Sequence, residues 1–488
     1  MEKYSGQCES GKFRQFITTL IVNIIALSNG IVLGWASPVM PQLRTVDTPV
    51  GSTPLTTEHI SWLNGVLPLG ALTILPFCSI ITEKFGRKIA LCLGAIPAIA
   101  CWLLKVCATS YTYLLLARYA AGMSMAMLML MIPLYIAEIT ADSIRGQMGC
   151  ILLFAVKIGI VVGYVLGATL SYRVFAICGL MMPIVFLGLF VFMPETPTYL
   201  VRKGKITEAK RSLMWLKNND ETAVERELLH LQSLVKECSS TKKSVGFRDL
   251  FRDRGTTKGF IISLGLLCGQ QTSGIFVVSQ YTAYILEQAE SSLKPNAATI
   301  IIGIGQIVGS CLSTMTMERA GRRSLIFISC AGMSICYTMI STFLLLRELD
   351  LNISSFGWIP VVALSGWSIL YCIGMSPAPL VVASEIFSPD ISSFANSVSM
   401  VFMWICAFLL VKYFPIVEEM LGLHVCFILL ASCCMATLVF TYFLVPETKG
   451  RNIESIIDEL NGSTGKFEQS RRLEAATEMI KIDKKSNV

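Results

Sequence analysis

Long apolar runs alternate with short polar gaps along most of the chain. The runs fall near residues 16–39, 60–82, 89–108, 111–137, 149–170, 174–193, 259–285, 297–317, 324–346, 357–384, 393–415 and 424–445. Each approaches or exceeds the ~20 residues a helix needs to cross the hydrocarbon core of a bilayer. The pattern predicts an all-α polytopic membrane protein with twelve transmembrane helices. Residues 1–15 are polar, and the first run is long enough to span rather than to form the centre of a cleaved signal. The longest polar gap, 194–257, separates six spans in 16–193 from six in 258–445, and 446–488 form a polar tail. Within that gap, 206–216 and 225–235 carry apolar residues at three- and four-residue spacing, which predicts short amphipathic helices lying along the membrane surface.

Composition agrees with this picture. Apolar residues make up 53% of the 488 residues and charged residues only 15%, with a mean hydropathy of +0.63. That is too little charge to cover several soluble domains. The distribution of charge gives orientation. With both termini taken as cytoplasmic, about 32 of the 40 Lys and Arg fall on the cytoplasmic side. Arg44, Lys105, Arg173, Lys294 and Arg347 fall outside, and Arg118, Lys157 and Lys412 lie inside spans. The net charge of +7 is therefore a topology signal rather than a nucleic-acid footprint. The 17 cysteines sit mostly within apolar runs without metal spacing, and read as small core residues. Asn352-Ile-Ser354 is a glycosylation sequon on the outer side of this topology, whereas Asn461-Gly-Ser463 lies in the cytoplasmic tail.

The two halves repeat the same signs in the same order. Glu83-Lys-Phe-Gly-Arg-Lys88 follows span two, and Glu318-Arg-Ala-Gly-Arg-Arg323 follows span eight, 235 residues later. Pro133, Tyr135 and Glu138 close span four, and Pro379 and Glu385 close span ten. Pro194-Glu-Thr-Pro197 follows span six, and Pro446-Glu-Thr-Lys-Gly-Arg451 follows span twelve. The duplication implies two six-helix bundles with a site between them near the membrane midplane. In each turn the glycine permits a tight reversal, and Arg87, Lys88, Arg322 and Arg323 are within reach of carboxylates such as Glu138 and Glu385. Arginine–carboxylate pairs across the seam between bundles would close the inner side.

Pro133-Leu-Tyr-Ile-Ala-Glu138 with Arg145-Gly146, Gln270-Gln271-Thr-Ser-Gly-Ile275, Glu318-Arg-Ala-Gly-Arg-Arg323 and Pro446-Glu-Thr-Lys-Gly-Arg451 resemble the sugar porter family of the major facilitator superfamily. The resemblance covers nearly all of 16–451. Gly34-Trp-Ala-Ser-Pro38 and the stretch around Phe408–Lys412 resemble its insect facilitated trehalose transporter branch. The resemblance implies the major facilitator fold and carbohydrate transport by alternating access.

Amide side chains suit sugar hydroxyls because they donate and accept without a charge to desolvate, and aromatic faces pack on the ring. The resemblance implies sugar contact for Gln270 and Gln271 in span seven, Gln306 in span eight and Trp404 in span eleven. It implies an inner charge network of Glu83, Arg87, Lys88, Arg118, Glu138, Arg145, Glu318, Arg322, Arg323 and Glu385. Several family positions differ: Leu153, Phe276, Cys372, Leu380 and Met403 stand where polar or aromatic residues are usual, Ser392 replaces an arginine after Glu385, and Thr198 replaces another after span six. These changes predict fewer bonds to a neutral hexose and a weaker latch in the second half.

Lys157 lies about 12 Å into span five, four residues after Leu153 and therefore on the same helical face. It is a candidate donor to a substrate, or partner of an anionic one; a lysine in a wet interhelical pocket is the alternative. Span one contains no acid, and Val32 occupies the position where proton-linked relatives carry aspartate. The leading expectation is a facilitative uniporter of a hexose or trehalose-like disaccharide in the plasma membrane, needing no cofactor, nucleic acid or obligate protein partner. A carrier of a polyol or organic anion, a proton-coupled symporter and a non-transporting nutrient receptor remain open. No nucleophile–base pair, phosphate loop or metal constellation points to an enzyme.

Overall fold

A computed structural model describes residues 2–240, 246–251, 253–351, 354–451 and 453–461, with the side chains of 2–10, 142, 237–240, 318, 354, 389, 390, 393 and 454 left out. The first half contains α1 (Glu2–Leu43), α2 (Thr57–Phe85), α3 (Arg87–Val106), α4 (Tyr111–Ile139), α5 (Asp142–Thr169) and α6 (Tyr172–Phe190). A connecting segment follows, with α7 (Pro197–Arg202), α8 (Ile206–Leu216) and α9 (Glu221–Ser240). The second half contains α10 (Arg254–Thr272), α11 (Ile275–Gln288), α12 (Pro295–Ala320), α13 (Arg322–Glu348), α14 (Ile359–Leu370), α15 (Ala378–Glu385), α16 (Pro389–Leu421) and α17 (Leu423–Leu444); α18 (Ile453–Asn461) closes the described chain. Among the described residues, twelve helical stretches are long and apolar enough to cross a membrane. Because the spans alternate in direction, one face holds the start of α1 and the connecting segment. It is called the terminal face, and the opposite one the distal face.

Helices run beyond the apolar runs where polar residues continue the helix past the hydrocarbon. Thus α5 begins at Asp142 and α1 at Glu2. Span seven is broken rather than continuous: Gly274, at φ +87°, separates α10 from α11. Span ten is also interrupted. Residues Tyr371–Met375 form a π turn, in which the Ser376 amide donates to the Tyr371 carbonyl at 2.8 Å. Pro379 has no N–H to offer the Met375 carbonyl four residues before it. Gln270 Nε2 donates to that carbonyl at 3.1 Å and to the Ser376 carbonyl at 2.7 Å, tying α10 to the irregular turn.

Close backbone approach holds α1 against α5. A Cβ at Gly30 would collide with the Val156 carbonyl, and one at Gly159 with the Leu27 carbonyl. Small residues at such crossings let membrane helices gain dispersion contacts that lipid cannot outcompete.

Candidate functional site

The duplicated turns build two matching clusters at the terminal face. In the first, the turn at Gly86 (φ +93°) starts α3 beside the half-buried carboxylate of Glu195. The Arg87 and Lys88 amides donate to Glu195 at 3.0 and 3.1 Å. Burial raises the pKa of Glu195 from its ordinary 4.5, against the opposing pull of the Thr196, Lys88 and Arg87 amides and the Arg87 charge. Arg87 then donates Nε and Nη2 to Glu138 Oε1 at 3.0 and 2.8 Å, and Lys88 Nζ donates to the Val191 carbonyl. In the second half, Gly321 (φ +85°) repeats the turn. The Arg322 and Arg323 amides donate to Glu447, Arg322 Nη2 pairs with Glu385 at 3.0 Å, and Arg323 donates to the Tyr442 carbonyl. Glu195 and Glu447 belong to the repeated Pro-Glu-Thr motifs, but the sequence reading gave them no role. They sit at helix N-termini, where unpaired amides favour an anion.

Both ion pairs join helices of a single half. The expectation that such pairs bridge the seam is not met here, because each glycine turn lays its arginine over the end of its own half's fourth membrane helix. Glu83 and Arg145 are exposed; Glu318's side chain and Asn352 lie outside the described residues.

Arg118 is not part of either cluster. It lies seven residues from the distal start of α4 and twenty residues, about 30 Å, from Glu138. There it is fully buried and reaches across the seam. Its Nη2 donates to Asn64 Oδ1 at 2.6 Å and to Gln280 Oε1 of the other half, and Nε donates to the Leu63 carbonyl. The assignment of Arg118 to the inner network is therefore corrected. Lys105, expected in an outer loop, is also fully buried, with its ammonium 4.0 and 4.2 Å from the ring centroids of Trp35 and Trp102. Further bonds cross the seam, among them Ser61 Oγ to the Lys412 carbonyl. Lys412 Nζ donates to Ser61 Oγ at 2.9 Å, the Ala283 amide to Ser37 Oγ at 2.9 Å, and Tyr164 to the Ser279 carbonyl at 3.0 Å.

Between these contacts and the terminal clusters lies a cavity of about 170 Å³, walled by both halves. Lys157, Gln270, Gln271 and Trp404 line it, as expected. Gln270 is committed to the span-ten turn through its amide nitrogen, whereas Gln271 Oε1 meets no partner among the described residues. Trp404 packs against Phe276 with ring centroids 5.8 Å apart. Of the departures from the family pattern, Leu153, Phe276, Leu380 and Met403 are in the wall, and Cys372 is not. Gln306 is not: it is 1% exposed, and neither of its amide atoms has a partner among the described residues. Tyr371, Ser376 and Ser279 line the cavity without having been anticipated. The π turn that aims Tyr371 inward has no simple periodic signature. A larger groove of about 750 Å³ is lined by the second half alone, through residues such as Ile335, Met339 and Met435, and so does not lie between the halves.

Lys157 is 7% exposed and lies midway along α5. A lysine at the centre of a membrane helix costs about 2.5–3.5 kcal/mol on insertion scales. Its ammonium lies 5.6 Å from the Tyr371 ring centroid. Such a contact returns about 0.5–2 kcal/mol, which leaves part of the cost unmatched.

A family model described as "Sugar (and other) transporter" matches residues 3–460. A facilitated trehalose transporter Tret1-2 homolog of Drosophila simulans is 31% identical over 92% of this chain and 91% of its own length. A facilitated trehalose transporter Tret1 of Aedes aegypti is 30% identical over 92% of this chain, which spans only 55% of that relative. Among solved structures, the xylose transporter XylE from E. coli, in an inward-open conformation, superposes with a TM-score of 0.75 at 19% identity, covering 91% of this chain and 99% of the other.

Proposed function

The chain belongs to the sugar transporter family, on the major facilitator fold of twelve helices in two six-helix halves, and from that premise we propose that it carries a sugar across a membrane by alternating access. The relatives' names support a hexose or a trehalose-like disaccharide as the class of substrate. The observation that carries the reading is the cavity walled by both halves, with hydrogen bonds between the halves on its distal side. Loss of those bonds lets the halves rock apart at the distal face around a fixed midplane site. Gln271 offers the open acceptor for a hydroxyl, Trp404 and Phe276 an aromatic wall, and the broken spans seven and ten the irregular backbone typical of such sites.

The mode is facilitative uniport. Val32 replaces the acid of proton-linked relatives, and the described cavity wall contains no carboxylate to take up a proton. The bias of Lys and Arg toward the terminal face supports cytoplasmic termini. Uptake of radiolabelled glucose, trehalose, fructose, polyols and organic anions by oocytes expressing the chain tests the reading. Saturable sugar uptake that falls at least about tenfold in Gln271→Ala is expected, as for loss of a buried hydrogen bond to substrate. Good surface expression without uptake of any sugar would overturn it.

A further inference from the structure

We propose that the central site selects a sugar bearing a negative charge, a monosaccharide carboxylate of the uronate class, and that Lys157 receives the carboxylate. This rests on the sugar-transport reading and names the class of sugar. Lys157 is fifteen residues from the start of α5 and twelve from its end, 93% buried, and in the wall of the cavity. It is the only charged side chain in that wall among the described residues, and the structure gives it no carboxylate partner there. Among the described residues, its ammonium meets the face of Tyr371. A lysine retained for structure alone at this depth would be expected to bond a carboxylate or a free carbonyl. The Met375 and Ser376 carbonyls nearby are taken instead by Gln270.

The rest of the wall fits the same ligand. A neutral hexose needs many hydrogen-bonding partners to replace its water, and the wall offers few: Gln271 Oε1, Ser376 and Ser279 beside Lys157. Leu153, Phe276, Leu380 and Met403 exclude water from the remainder. Water exclusion strengthens a charge pair more than a neutral hydrogen bond, and it penalises a hydroxyl left without a partner. One charge-assisted contact orients the ring, and fewer hydroxyl partners then suffice. The cavity, about 170 Å³, is below the ~300 Å³ at which ligand pockets usually begin, which favours one ring over two. A carboxylate also balances the ammonium, which has no acidic partner in the wall among the described residues.

The test uses the full chain reconstituted in liposomes, with radiolabelled D-glucuronate, its uncharged methyl ester and D-glucose as probes. Saturable uptake of glucuronate is expected, about ten- to a hundredfold above that of the ester, the range of one charge-assisted hydrogen bond. The unmodified protein thus suffices even where a variant fails to fold. Because the substrate is an anion, an inside-positive potential should accelerate its entry. In Lys157→Gln the ratio of glucuronate to glucose uptake should fall at least about tenfold, and Lys157→Arg should restore most of it. Glucose or ester uptake that equals or exceeds glucuronate uptake would overturn the charge selection and leave sugar transport standing. Absence of uptake for all three and for trehalose, by folded protein, would overturn both.

Discussion

The two faces of the molecule are held by different chemistry. In the two terminal clusters arginines meet carboxylates, and the pairs Arg87–Glu138 and Arg322–Glu385 each stay within one half. At the distal face, the bonds that run between halves place cations on amide and hydroxyl oxygens, Arg118 on Gln280 and Lys412 on Ser61, whereas the Arg347–Glu290 ion pair stays within one half. Bonds inside a half persist while the halves rock, so they can be strong. On the proposed alternating-access reading, bonds between halves break in every cycle, and neutral acceptors keep that step shallow. The contrast separates rigidity from gating. The terminal clusters make each half a solid body, and the distal bonds set the balance between conformations.

The sharpest way to break this comparison is to remove the acceptors. Glu138→Ala would strand the Arg87 guanidinium, whose side chain is 5% exposed, and should cost about 3–5 kcal/mol of stability. A thermal melt in detergent checks this. Gln280→Ala leaves the buried Arg118 short of one acceptor and removes a bond across the seam. It should shift the population toward a distally open form by about 1.5–3 kcal/mol. The measurement is faster maleimide labelling of a cysteine placed at Ser37, in a background with the exposed Cys107 and Cys311 replaced by serine. Glu385→Ala comes next. Its pair is 17% and 30% exposed and uses one donor, so the melt should lose only about 1 kcal/mol. Equal losses for Glu138→Ala and Glu385→Ala would erase the difference between the halves. A Gln280→Ala protein with unchanged labelling would remove Arg118 from the gate.

Much of this architecture is legible in the chain because hydropathy and duplication are redundant signals. Twelve apolar runs announce the spans, and two copies of a Gly-Arg turn 235 residues apart announce the clusters. The helix α8 coincides with the periodic stretch 206–216 for the same reason. What escaped lacks redundancy. A lone cation in an apolar run carries no mark of what surrounds it, so Lys105 reads as a loop residue although it lies between Trp35 and Trp102. Arg118 was drawn to the inner network by resemblance, although its position in span four already put it at the other end; Asn64 and Gln280, which hold it, come from two other helices. Gln306 and Gln270 show a further limit. Residue type matches sugar contact in both, but one is buried outside the cavity wall and the other has its amide nitrogen bound to a carbonyl that Pro379 left without a donor.

The smallest expected effect tests whether the clusters are held by charge or by burial. Glu195 receives the amides that begin α3, and burial nonetheless raises its pKa above 4.5. A carboxyl whose folded value is raised contributes its full stability below the unfolded value, and loses it as pH rises through the folded one. The stability of the native chain relative to Glu195→Gln should therefore decline from about pH 4.5 upward and level off above the raised value. Paired melts across pH 4 to 7 in detergent measure this. A slope of the opposite sign would mean that the helix N-terminus and Arg87 outweigh desolvation, and that the terminal cluster, like the distal one, is governed by its charges.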